Sequence, residues 1–183
     1  GITGAGNYYL TDNVTLTGTW KPVDGMVLCL NGYGIEMDGD GDVIEVGNGV
    51  TFTLCDCKGS GSTGKVTHSD GKGSGVYVNG TFNMSGGSIT ENTVSDTKGI
   101  YYGGGVYVSE SATFTVSGTV NITGNTAENG NANNVFLPFV DQSLKSFTIG
   151  KNGLASDSII GVATNAAPNP GYYLTIATLS EGA

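Results

Sequence analysis

Apolar residues along this chain come in short runs that alternate with polar or threonine positions, and nowhere do they follow a 3.6-residue period over a dozen residues. That pattern predicts an all-β protein whose strands each bury one face. The runs recur. Thr51-Phe52-Thr53-Leu54, Thr81-Phe82-Asn83-Met84, Thr113-Phe114-Thr115-Val116 and Ser146-Phe147-Thr148-Ile149 align, with their phenylalanines 30, 32 and 33 residues apart. A short apolar strand precedes each: Val43-Ile44-Glu45-Val46, Val76-Tyr77-Val78, Val106-Tyr107-Val108 and Val135-Phe136-Leu137. After three of them comes a third strand with a polar end, in Lys65-Val66-Thr67, Ser88-Ile89-Thr90-Glu91-Asn92 and Asn121-Ile122-Thr123-Gly124-Asn125. The Gly, Asn, Ser and Asp clusters between strands are too short to hold crossover helices.

Three short strands per period, with apolar positions in register, predict a single-stranded, right-handed parallel β-helix of about five coils, each rising about 4.8 Å. Phe52, Phe82, Phe114 and Phe147 then stack as an internal aromatic ladder, and Leu54, Met84, Val116 and Ile149 run beside it on the inward side. Asn92 and Asn125 fall at equivalent places after the third strand, where an inward amide satisfies the backbone of a neighbouring coil. Asp38 fits the same slot in an earlier coil, and Trp20 caps the first. The expected organisation is one domain over residues 1–183, with irregular N-terminal coils at 8–42, regular repeats at 43–137, and a C-terminal coil and cap at 138–183. The chain opens at Gly1 rather than methionine, which reads as a piece of a longer protein with flanking domains.

Charge narrows the function. The formal net charge is −9, and all seven basic residues are lysines. Without a basic stripe or any guanidinium, nucleic acid is excluded as a partner. No apolar stretch approaches the roughly 18 to 20 residues of a spanning helix, so membrane insertion is not expected. His68 is the single histidine, which leaves a Ser-His-Asp or Cys-His arrangement without supporting pattern.

Candidate chemistry lies in four places. Asp38-Gly39-Asp40-Gly41-Asp42 alternates carboxylates with glycines and offers either a calcium site through Asp38, Asp40 and Asp42 or a solvated turn between coils. Cys29, Cys55 and Cys57 lie in or beside strands of adjacent coils and point outward, so Cys29 can bridge Cys55 or Cys57. Tyr101 and Tyr102 end a long loop and are candidates for stacking on a sugar ring or peptide. Glu36, Glu45 and Asp56 are the carboxylates on or beside early strands that a hydrolase would need to bring within roughly 5 to 9.5 Å. No other cofactor is implied.

Two segments, Gly73-Ser74-Gly75-Val76-Tyr77-Val78 and Gly103-Gly104-Gly105-Val106-Tyr107-Val108, are each followed by a Thr-Phe strand and then Ile-Thr-Glu-Asn or Ile-Thr-Gly-Asn. They resemble the repeats of bacterial cell-surface proteins with a pectin-lyase-like right-handed β-helix, and are similar to those of polymorphic outer-membrane adhesins. Val27-Leu28-Cys29-Leu30-Asn31-Gly32 and Thr53-Leu54-Cys55-Asp56-Cys57 resemble segments of repeat-bearing surface proteins of gut Firmicutes. The resemblance implies an extracellular, secreted or cell-wall-associated module that displays loops or acts as a rigid spacer, with a host or matrix glycan or protein as partner. It equally admits a carbohydrate-active β-helix that binds or cleaves glycans. Pectate-lyase-type elimination generally uses an arginine base, and no arginine is present to serve.

Overall fold

The computed structural model of the protein describes residues 4–58, 64–95, 103–165 and 174–180. Its strands stack in three parallel faces. In the first, Gly6–Tyr9, Met26–Cys29, Thr51–Cys55, Thr81–Ile89, Thr113–Ile122, Phe147–Leu154 and Ala177–Leu179 pair in that order. In the second, Val14–Leu16, Gly34–Asp38 and Lys65–Asp70 stack onto the far halves of the two longest strands, and Ile159–Ile160 follows. The third is a five-stranded sheet of Ile44–Val46, Val76–Val78, Val106–Val108, Val135–Leu137 and Val162–Thr164. The fold is therefore a parallel β-helix, whose third face of five strands encloses about four full turns, against the five coils expected.

Three features differ from the sequence reading. Thr81–Ile89 and Thr113–Ile122 are 9 and 10 residues long, because what read as two strands is one strand bent at a corner. Gly87 and Gly118, at φ 88° and 66°, take the corner in the left-handed region while pairing resumes with a shifted register. Regular parallel pairing also begins at Gly6, before residue 8, and continues in register through the segment expected to be irregular. Finally, Phe139–Val140 and Ser143–Leu144 form an antiparallel hairpin, whose turn residues Asp141 and Gln142 both have positive φ, as a two-residue type I′ turn requires.

Alternation along each strand builds the core. In Thr51–Cys55 the side chains of Phe52 and Leu54 are fully buried and the other three face outward. Register then stacks like on like: Phe52 over Phe82 at 5.9 Å between ring centroids, Phe82 over Phe114 at 5.4 Å, both nearly coplanar. Phe114 and Phe147 continue the ladder at 5.9 Å with the rings tilted by 49°. Trp20 closes the other end by setting its edge against Phe52 at 5.6 Å. Leu28, Leu54, Met84, Val116, Ile149 and Leu179 form the parallel aliphatic column.

A polar ladder occupies the corner after the second face. Asn125 Nδ2 donates to the carbonyls of Ile89 and Thr123 and to Asn134 Oδ1, while Asn92 Nδ2 donates to those of Val66 and Thr90 and to Asn125 Oδ1. Asn92 Oδ1 is then left to His68, whose Nδ1 lies 2.8 Å away, and the other ring nitrogen lies 2.9 Å from the Gly41 carbonyl. The slot before Asn92 thus belongs to His68, not to Asp38, whose side chain is exposed where the strand ends. The ladder also explains the glycines of the repeat. A Cβ on Gly75 would sit 2.8 Å from Asn92 Nδ2, and one on Gly105 would sit 2.7 Å from Asn125 Nδ2.

Removing the middle ring of the stack with Phe82→Ala is expected to cost about 3–5 kcal/mol, read as a lower denaturant midpoint at unchanged slope. Gly105→Ala crowds the buried amide of Asn125 and should cost about 1–3 kcal/mol in the same assay.

Candidate functional site

The outward side of the first face is the most regular surface on the molecule. Thr51, Thr81 and Thr113 align in one column, and Val27, Thr53, Asn83, Thr115, Thr148 and Thr178 align in the next. Rows lie about 4.8 Å apart and the columns about 6.6 Å apart, as strand geometry dictates. Thr51, Thr113 and Thr178 are exposed and the others half-buried. Neither column contains an Asp, Glu or Lys, on a chain of net charge −9. Such a surface presents hydroxyls, amides and methyls at fixed intervals, and no group in it can serve as acid, base or strong nucleophile. The residues flanking each aligned phenylalanine carried this signal in the sequence.

The three carboxylates with catalytic promise are not brought together. Glu45 is on the third face, paired with Lys21 at 2.8 Å. Asp56 is at the corner after the first face, where its carboxylate accepts the backbone N–H groups of Gly32 and Gly64 at 2.9 and 3.0 Å. Glu36 lies on the second face and lines a cleft of about 220 Å³ with Asn13, Thr15, Lys65 and Thr67. Lys65 reaches Glu91 at 2.8 Å, and that hydrogen bond, with the lysine's charge, holds the Glu91 carboxyl below its ordinary range.

Aromatic side chains also form an outward column on the third face, which the repeated Val-Tyr-Val pattern contained unread. Tyr77 and Tyr107 stack at 5.2 Å, and Tyr107 and Phe136 at 6.1 Å. The half-buried tyrosines turn their faces toward one another along the helix axis and Phe136 is buried, so the column exposes tyrosine edges rather than the ring faces on which sugars stack. Tyr101 and Tyr102 lie outside the described residues.

The aspartate-glycine segment is one rung of a stacked corner. Asp38-Gly39-Asp40-Gly41-Asp42 lies over Asp70-Gly71-Lys72-Gly73-Ser74, and hydrogen bonds run from Gly39, Gly41 and Val43 N–H to the carbonyls of Asp70, Lys72 and Ser74. Asp40 Oδ1 accepts the Lys72 N–H at 2.9 Å, and Asp42 Oδ1 accepts that of Ser74 at 2.8 Å. Two of the three carboxylates proposed for calcium are therefore engaged with backbone amides of the next coil. Among the described residues no group of three or more His, Cys, Asp or Glu side chains is placed to hold a metal ion.

Of the two pairings open to Cys29, the structure takes Cys57. Their Cα atoms are 5.9 Å apart and the bridge closes a 28-residue span. Cys55 remains a thiol, which burial, and then the charge of Asp56, push up from its usual range. Loop-closure entropy for that span corresponds to about 3–4 kcal/mol.

No family model, curated protein or solved structure matches the chain.

Cys29→Ser is accordingly expected to lower unfolding free energy by about 2–4 kcal/mol under non-reducing conditions, with little difference from wild type once both are reduced. If Asp42 is a cap and not a ligand, Asp42→Ala costs about 1 kcal/mol whether calcium or chelator is present. Thermal melts in the two buffers check this, and a loss confined to the calcium buffer contradicts it.

Proposed function

We propose that this chain is a non-catalytic, adhesin-like display module of a secreted or cell-wall-associated protein, wound as a right-handed, pectin-lyase-like β-helix. The observation that carries the reading is the uncharged lattice of Thr51, Thr53, Thr81, Asn83, Thr113, Thr115 and Thr148 on a rigid, ladder-packed face. Its ligand is a neutral glycan or an uncharged patch of a matrix protein, met by many weak hydrogen bonds and methyl contacts rather than by charge. An acidic glycan is a poorer partner, because the field of the surrounding carboxylates opposes it. The Cys29–Cys57 bridge supports an oxidising, extracellular setting.

A glycan-binding cleft is the second reading, and the observation behind it is Glu36 beside Asn13, Thr15, Lys65 and Thr67 in the small cleft of the second face. Immobilised neutral and acidic glycans and matrix proteins separate the two, with binding and product release measured together. The display reading expects binding without turnover, weakened at least tenfold by Thr53→Lys combined with Thr115→Lys and unaffected by Glu36→Gln. Binding lost only in Glu36→Gln would move the ligand to the cleft. Product release abolished by that change would overturn the non-catalytic reading.

A further inference from the structure

The three cysteines gather at one corner, where the first face ends. Cys29 and Cys55 are direct Cα partners in neighbouring parallel strands. Both face outward, because Leu28 and Leu54 beside them fill the interior. Adjacent strands lie about 4.8 Å apart, inside the roughly 4.4–6.8 Å range of Cα separations that a disulfide spans. Cys29 is therefore within bridging reach of the free thiol of Cys55 as well as of its present partner Cys57. The Cys55 thiol points back across the strand pair, 3.6 Å from the carbonyl of Leu28, the residue before Cys29. With Cys57 bridged, the Cys29 sulfur also accepts the N–H groups of Asn31 at 3.2 Å and Cys57 at 2.9 Å.

We propose that Cys29, Cys55 and Cys57 form an intramolecular thiol–disulfide exchange site. The Cys55 thiolate attacks Sγ of Cys29, the Cys29–Cys57 bond breaks, and Cys57 departs as a thiolate that takes up the proton Cys55 released. One thiol and one disulfide stand on each side of the step, so no oxidant or reductant is consumed. The two states differ in what is tethered. With Cys57 bridged, the first residue group beyond the strand is tied to the neighbouring coil. With Cys55 bridged, the covalent link lies within the paired strands and Cys57 becomes an accessible thiol at the edge of the connection leading to the second face. Burial and the neighbouring Asp56 keep Cys55 protonated near neutrality, so exchange is slow there and speeds up as the solution becomes alkaline.

Alkylation of the intact, non-reduced protein with iodoacetamide, followed by peptide mapping, tests this. At about pH 7 the label is expected on Cys55 alone, and after incubation at about pH 9 without added oxidant it divides between Cys55 and Cys57, with Cys29 unlabelled throughout. Label confined to Cys55 at both pH values overturns the proposal. A Cys57→Ser variant gives a second, independent arm. Purified under oxidising conditions it should contain a Cys29–Cys55 bridge and no free thiol, and two alkylatable thiols in the folded variant would overturn it.

Discussion

Everything in this fold depends on the parallel hydrogen-bond register between successive coils. Once a strand pairs with the one before it at a spacing of about 4.8 Å, each inward side chain must rest on the side chain at the same place one coil away. That single constraint turns Phe52, Phe82 and Phe114 into a nearly coplanar stack, and it makes the amide of Asn92 meet that of Asn125. It acts equally on the outside, aligning the threonines of the first face and the tyrosines of the third. Side-chain identity at one coil is thus chosen by its neighbours along the axis, more than by its neighbours in sequence.

The same constraint separates the carboxylates. A face repeats its chemistry only if the period repeats it, and Glu36, Glu45 and Asp56 sit at three different phases of the coil. Two acids that approach each other here must come from equivalent positions of adjacent coils, as Asp38 and Asp70 do, and that pair lies at an exposed turn. The acidic turns are instead consumed in stacking, with aspartate oxygens accepting amides of the coil below. A surface organised this way repeats one kind of group along each column, at the spacing of the coils.

Much of this was legible in the sequence because the phenylalanine spacing reports the coil directly, and alternation around it assigns inside and outside. The ladder of Asn92 and Asn125 was legible for the same reason. Its continuation was not, since His68 replaces asparagine in the preceding coil and shares no residue type with it, whereas Asp38 looked the better match. The aspartate-rich turn was misleading when read alone. Set against Asp70-Gly71-Lys72-Gly73-Ser74, 32 residues on, both of its glycines repeat but only the first of its three carboxylates does, which marks a stacking corner rather than a ligand set. The disulfide could not be chosen from spacing, because Cys55 and Cys57 both fall within reach of Cys29 and only the path of the chain after the strand decides.

The bridge also gives the solenoid a polarity that its repeating pattern conceals. Cys29 and Cys57 clamp coils near the N-terminal end, where Trp20 seals the aromatic stack. Toward the other end the stack loses coplanarity at Phe147, and Ile159, Ile176 and Leu179 are 62%, 46% and 69% exposed. In an array whose coils contact only their neighbours, cohesion is summed locally. Cohesion along the described coils is therefore uneven: greatest where the Cys29–Cys57 bridge ties two neighbours covalently, and carried by register and side-chain stacking alone everywhere else.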